Sequence, residues 1–229
     1  IILADDHAPK AIAQARAVLT LRRDLDANFL EAAGNLELIV ICGPAGAPEA
    51  PRVALETARR LGIYVASIPD LCAEAWAEAV MLQIRCAAQG LGREARHLRL
   101  GLVGLGVTGR LVAASARDDG FLIGAADPFC APQHFRNLGV QPLPLIEQLG
   151  WSQIAVVLVP LGPATRHLID ASTIGLMQRG STLINGSDPE LVAPEAIHRA
   201  GERQRPERVV QLTPQDRPLP PAHAQWSHA

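Results

Sequence analysis

Leu100-Gly-Leu-Val-Gly-Leu-Gly-Val-Thr-Gly109 decides how this chain folds. Read as G-x-G-x-x-G, it places Gly104, Gly106 and Gly109 between an apolar strand over 99–103 and a helix over 107–119. Asp127 follows eighteen residues after Gly109, at the end of a second apolar run over 121–126. Each glycine has a physical task there: a tight turn, close backbone approach to a pyrophosphate, and close packing of helix on strand. The helix start, with Val107 and Thr108, offers unpaired N–H groups and the positive end of a dipole to phosphates. Asp127 can accept hydrogen bonds from an adenosine ribose diol, and its charge repels a 2′-phosphate. The strand–turn–helix–strand–acid order therefore points to NAD rather than NADP.

The rest of the composition narrows the setting. The chain has 229 residues, enough for one large or two smaller domains. Hydrophobic residues make up 48% and aromatic residues only 3%, so the core is built mainly from Ala, Leu, Val and Ile. A net charge of −2 leaves no basic footprint for nucleic acid. No apolar run approaches the ~18 residues of a membrane span, and no signal-peptide pattern is visible, so a cytoplasmic protein is expected. The four cysteines form no C-x-x-C and no metal-ligand spacing, which reads as reduced thiols and no metal site.

Short apolar runs alternate with helical patterns along the whole chain, the signature of an α/β protein with parallel sheet. Strands are expected over 1–4, 17–20, 36–42, 63–66, 98–103, 121–126, 154–159, 182–185 and 208–212. Helices are expected over 26–33, 50–61, 72–90, 107–119, 143–149, 170–177 and 194–200. The polar, glycine-flanked stretch 90–97 serves as the crossover, dividing the chain into domains 1–92 and 93–229.

Two further stretches are more specific. Val156-Val-Leu-Val-Pro-Leu-Gly-Pro-Ala-Thr-Arg-His-Leu-Ile-Asp170 is a strand, a Pro-Leu turn and a polar loop entering a helix. Leu176-Met-Gln-Arg-Gly-Ser-Thr-Leu-Ile-Asn185 follows. With the glycine motif and Asp127-Pro128, these resemble the D-isomer-specific 2-hydroxyacid dehydrogenases. Pro160, Leu161 and Thr165 match the first family stretch; Gly180, Leu183, Ile184 and Asn185 match the second. Leu36-Glu-Leu-Ile-Val-Ile-Cys-Gly43 and Leu61-Gly-Ile-Tyr-Val-Ala-Ser-Ile-Pro69 look like the family's earlier elements, more loosely.

The resemblance implies two doubly wound α/β domains. The first is a flavodoxin-like substrate domain, the second a Rossmann domain that binds NAD, with a cleft between them. It also implies a homodimer and a small-molecule substrate, a 2-oxo or 2-hydroxy acid. The cofactor set carried over is Gly104, Gly106, Val107, Thr108, Gly109, Asp127, Pro160, Thr165 and Asn185.

Catalytic residues carry over differently. After Asn185 the family places an arginine for the substrate carboxylate, and here the run is Gly186-Ser187-Asp188-Pro189. Asp188 therefore occupies the arginine position with the opposite charge; it also suits an N-cap before Pro189. The substrate-loop position reads Gly43-Pro-Ala-Gly-Ala-Pro-Glu-Ala-Pro51, whose three prolines lack backbone donors. Gln211 stands where an aspartate is usual. Asp216 falls near the catalytic acid, and His228, in Trp226-Ser-His-Ala229, takes the place of the proton-donating histidine. Arg166 and Arg136 are the nearest substitutes for the arginine, and His167 reads as a loop residue.

Two functions remain open on these residues. One is an NAD-dependent oxidoreductase moving hydride between NAD(H) and a small 2-oxo or 2-hydroxy acid or related carbonyl. The other is an NAD-binding homologue without dehydrogenase activity: a sensor, scaffold or non-redox enzyme. A third variant keeps NAD as a bound catalyst for an amine or cationic substrate, which Asp188 suits.

Overall fold

The computed structural model describes residues 2–3, 14–21, 23–43, 52–68, 70–92, 95–203 and 205–212. The chain divides into two compact units, Ile1–Cys72 and Ala73–Ala229.

The first unit holds four parallel strands: β1 (Ile2–Leu3), β2 (Ala17–Thr20), β3 (Leu38–Cys42) and β4 (Tyr64–Ile68). They lie side by side in chain order. Helix α1 (Ala27–Ala32) starts where the Asp26 carboxylate accepts the Phe29 N–H at 2.8 Å, a standard N-cap. With α2 (Leu55–Arg60) it covers a small core of Val18, Leu25, Leu30, Ile39 and Ile63. Among the described strands this sheet shows no reversal of order.

The second unit carries the reversal. Its strands are β5 (Arg99–Val103), β6 (Leu122–Ala126), β7 (Gln141–Pro142), β8 (Ile154–Val157), β9 (Thr182–Asn185) and β10 (Arg208–Gln211). All pair in parallel, in the order β10-β9-β8-β5-β6-β7. This is the 3-2-1-4-5-6 arrangement of a Rossmann sheet, and its switch point lies between β5 and β8. Every residue of β8 and β9 is buried, as expected for strands covered on both faces. Alternation sorts them: Val156 and Ile184 face one core, while Ala155, Val157 and Leu183 face the other.

One face is covered by α3 (Ala73–Gly90), α4 (Val107–Asp118) and α5 (Pro132–Leu138). The opposite face carries α6 (Leu145–Trp151), α7 (Ala171–Ile174) and α8 (Pro194–Arg203). Helix α3 buries Ala77, Val80, Met81, Ile84 and Ala88, a stripe at helical spacing. That stripe shares a core with Val112 and Ala116 of α4 and with Leu100 of β5. The units therefore divide at Cys72/Ala73 and not in the polar stretch 90–97. The sequence boundary followed polarity, whereas the helix sides with the sheet that buries its apolar stripe. Gly101, in the middle of β5, leaves room for the buried Gln148 amide; a Cβ there would stand 1.8 Å from Gln148 Nε2.

Candidate functional site

The glycine loop sits at the carboxyl end of β5, at the switch point. Gly104 has φ +100°, a conformation costly for any residue with a Cβ. A Cβ there would also lie 2.7 Å from the Leu158 carbonyl oxygen, just after β8. Its N–H donates to Ala126 O at 2.9 Å, tying the turn to the end of β6. Gly109 lies so close to the same turn that a Cβ would meet Gly104 O at 2.4 Å. Gly106 differs from both. It is exposed, and a Cβ on it would meet nothing within 4 Å. It is the N-cap of α4 and supplies no side chain to cap it. The first N–H groups of that helix, at Val107, Thr108 and Gly109, thus have no side-chain cap and lie at the positive end of the dipole, beside the open space over Gly106.

Asp127 locks this loop from the side. Its Oδ2 accepts the Leu105 N–H at 2.7 Å; its Oδ1 accepts Phe129 N–H at 2.9 Å and Cys130 N–H at 3.0 Å. Two carboxylate oxygens offer about four acceptor positions, so three are filled and one remains for a hydroxyl. Burial and the Asp127 carboxylate push the Cys130 thiol up, which keeps it protonated and out of nucleophilic chemistry. Two residues beyond Asp127, Phe129 is 96% exposed. The sequence reading passed over it; an aromatic placed directly after an Asp-Pro strand end was the available signal.

The second loop closes on itself. Thr165 Oγ1 donates to Pro160 O at 2.7 Å and accepts the Gly162 N–H at 2.8 Å. Both hydroxyl functions are thus used to shape the turn. Beyond it, Arg166 forms an ion pair with Glu190, which removes it as a free cation for a substrate carboxylate. His167 adopts φ +54°, and its N–H donates to Glu190 O at 2.8 Å. Asp170 caps α7, accepting from Ser172 and Thr173 N–H. Those bonds hold its carboxyl well below the ordinary range.

Asn185 is fully buried. Its Nδ2 donates to Asp188 O at 2.8 Å and to Gln211 Oε1 at 2.7 Å, and its Oδ1 accepts Ser187 N–H at 3.1 Å. Both amide hydrogens are spent inside the protein, so Asn185 acts on the following loop and not as an open hydrogen-bonding group. Gln211 completes the cluster, donating to Ser187 O at 2.9 Å and Leu212 O at 2.8 Å. Trp76 of α3, which sequence reasoning missed, donates its indole N–H to Gly186 O at 2.7 Å. Gly186 itself is tightly placed, since a Cβ there would stand 2.9 Å from Leu158 Cδ2 and 3.2 Å from Val80 Cγ2.

Asp188 is half-buried and caps the short 3-10 turn Pro189–Leu191, accepting Glu190 N–H at 2.8 Å. The cap reading of Asp188 is realised; no cation stands in its place. Arg136 is exposed in the last turn of α5. The structure therefore brings together Gly104, Gly106, Val107, Thr108, Gly109 and Asp127, and separately Asn185, Asp188 and Gln211. Asp216, His228 and loop residues 44–51 lie outside the described residues.

A parallel Rossmann sheet with a glycine turn and an acid at its switch point defines a dinucleotide-binding protein. The family model for the NAD-binding domain of D-isomer specific 2-hydroxyacid dehydrogenases matches residues 55–229. The chain belongs to that family, and its cofactor is NAD. It is 30% identical over 191 residues to D-3-phosphoglycerate dehydrogenase of Sus scrofa, covering 76% of this chain and 35% of the relative. It is 24% identical over 208 residues to glyoxylate reductase of Thermococcus onnurineus (strain NA1), covering 80% of this chain and 61% of that protein. The chain thus spans roughly one third to three fifths of these relatives. Among solved structures, the NAD-complexed D-isomer specific 2-hydroxyacid dehydrogenase of Lactobacillus delbrueckii ssp. bulgaricus superposes with TM-score 0.77 at 18% identity. It covers 91% of this chain and 70% of its own.

The residues present fit NAD. The open space over Gly106 and the uncapped start of α4 suit a pyrophosphate. The remaining acceptor position of Asp127 suits one ribose hydroxyl.

Proposed function

We propose that this chain is an NAD-dependent oxidoreductase acting on a small 2-oxo or 2-hydroxy acid or a related carbonyl compound. The observation that carries the reading is the glycine turn at the switch point between β5 and β8, locked to Asp127, in a chain of this family. Bound NAD supplies or accepts a hydride at its nicotinamide ring. Gly104, Gly106, Val107, Thr108 and Gly109 hold the pyrophosphate, Asp127 the adenosine ribose, and Phe129 one face of the adenine. Pro160 and Thr165 shape the wall along the nicotinamide half, and Asn185 supports it by fixing Gly186 to Asp188. His228 would pass a proton to or from the substrate oxygen, with Asp216 holding it in orientation. The same reading gives a cytoplasmic homodimer with a small-molecule substrate. No helix among the described residues is long and apolar enough to cross a membrane.

Asp188 sets the substrate charge. Two like charges at 4 Å repel by about 1 kcal/mol in water and about 4 kcal/mol near a protein surface. An ordinary 2-oxo acid presenting its carboxylate to Asp188 is therefore disfavoured. That observation supports the second reading, an NAD-binding homologue without hydride transfer. Calorimetry with NAD and absorbance assays of NADH across a panel of 2-oxo acids separate the two. NAD binding with turnover supports the oxidoreductase, and binding without any turnover supports the homologue. In Asp188→Arg, 2-oxoacid turnover is expected to rise at least tenfold; no change sinks the charge argument. In Phe129→Ala, the NAD dissociation constant is expected to rise about five- to tenfold, the loss of one stacking contact of about 1 kcal/mol. An unchanged constant removes Phe129 from the site.

A further inference from the structure

A second polar cleft lies at the opposite end of the same sheet. It encloses about 300 Å³ and is lined by His97, Arg99, Gln153, Gln178, Arg179 and Ser181. Arg99, Gln153 and Ser181 mark the amino ends of β5, β8 and β9, whereas the glycine turn follows the carboxyl end of β5. At about 3.3 Å per residue, the length of β5 puts the two sites roughly 15 Å apart.

From this arrangement we propose a binding site for a small, doubly charged oxyanion with the chemistry of a phosphate group. Arg99 is already held in place. Its Nε donates to Trp151 O at 2.7 Å, one Nη donates to Gln178 Oε1 at 3.4 Å, and its guanidinium carbon stands 5.8 Å from the Trp151 ring centroid. Gln178 is anchored in turn by Nε2 bonds to Gly150 O at 2.9 Å and Trp151 O at 3.0 Å. Of the five guanidinium N–H donors, two are used by those bonds and three are left. A guanidinium positioned before its ligand arrives loses little side-chain entropy on binding.

Arg179 adds a second guanidinium from the turn after Gln178, exposed and without an ion pair among the described residues. Arg208 adds a third near the rim, with Nη1 3.3 Å from where a Cβ on Gly90 would stand, next to the lining residue Leu91. Among the described residues an acid also stands at this rim: Glu207 Oε2 lies 3.7 Å from where a Cβ on Gly180 would stand. Arg99, Arg179, Arg208 and Glu207 together carry two net positive charges. Two positive charges match one phosphate dianion, and paired guanidinium groups are the side chains best shaped for it. The cleft volume sits at the small end of ligand sites, which fits a phosphate group and not a polymer.

Salt screening over about 8 Å at physiological ionic strength uncouples this site from the dinucleotide site. The test is an NMR titration of the full chain with inorganic phosphate, and separately with glycerol 2-phosphate, against chloride at matched ionic strength. Amide shifts at Gln153, Gly180 and Ser181 are expected to saturate with a dissociation constant of about 1–5 mM. Arg179→Gln is expected to weaken that binding at least fivefold and His97→Gln about twofold, both leaving NAD affinity within twofold. Tighter binding of the ester assigns the site to a phosphomonoester, and equal binding to free phosphate. Shifts that chloride reproduces, that survive Arg179→Gln unchanged, or that fail to appear by 20 mM phosphate (about four times the upper expected constant) overturn the proposal. Phosphate captured instead by the start of α4 is recognised by its indifference to Arg179→Gln.

Discussion

Gly109→Ala is expected to lower the melting temperature by about 5–10 °C and to weaken NAD binding at least tenfold. The added Cβ would stand 2.4 Å from Gly104 O and 3.2 Å from Gly104 C, both backbone atoms. Gly104 has nowhere to retreat. Its N–H is bonded to Ala126 O, and the Leu158 carbonyl crowds its other side. The strain must therefore fall on α4, whose first turn has to lift from the sheet. Lifting it loosens Val112, Ala113 and Ala116, all fully buried. Overpacking of this kind costs about 1–3 kcal/mol, and for a chain of this size each kcal/mol lowers the melting temperature by about 2–4 °C. The same lift moves the helix dipole off the position that a pyrophosphate takes. Gly106→Ala is the contrasting control, because its Cβ meets nothing within 4 Å. That variant is expected to melt with the parent while binding NAD several-fold more weakly, the methyl occupying the cofactor's space. A Gly109→Ala protein that melts and binds NAD like the parent would refute the close-approach argument.

This difference between Gly104, Gly106 and Gly109 was legible in the sequence because its chemistry is local. A strand, a turn and a helix start lie within ten residues, and spacing alone assigns each glycine. The cap at Asp188 was legible for the same reason, since an acid before a proline is a short-range start signal. Helix Pro132–Leu138 was not anticipated. It is seven residues long and buries only Phe135, too little for a periodic pattern to register. Its flanks did carry a signal, Pro132 at the first turn and Gly139 in the left-handed conformation at the end. Strand Gln141–Pro142 is shorter still and exposed at the sheet edge, so alternation had nothing to act on. The role of Asn185 was out of reach for a different reason. Its partner Gln211 lies 26 residues later, and Trp76, which holds the adjoining Gly186, lies 110 residues earlier. Resemblance to a family stretch assigned Asn185 to the cofactor; burial, two local hydrogen bonds and one long-range bond to Gln211 tie it to the loop.

Asn185→Ala tests that reassignment and is expected to cost about 3 kcal/mol, or roughly 6–12 °C in melting temperature. The substitution strands three groups at once: Asp188 O, Gln211 Oε1 and Ser187 N–H. Each buried group left without a partner costs about 1–3 kcal/mol, and partial relaxation of Gln211 toward solvent recovers some of the sum. Asn185→Asp keeps the shape but turns a double donor into an acceptor, facing two oxygens that can only accept, and is expected to destabilise at least as much. Cofactor affinity moves differently. The glycine turn is tied to Ala126 O and the Asp127 carboxylate, and no side-chain hydrogen bond of Asn185 goes to either, so NAD binding by the folded variant is expected to change no more than about threefold. A direct cofactor contact makes the opposite prediction: little loss of stability and a loss of NAD affinity of tenfold or more. Thermal melts and calorimetry on the same preparation decide between them. The outcome also bears on Asp188, whose backbone carbonyl is one of the groups that Asn185 holds. If the loop depends on Asn185, then hydride transfer in Asp188→Arg requires Asn185 as well, and the double variant loses the activity gained by the single one.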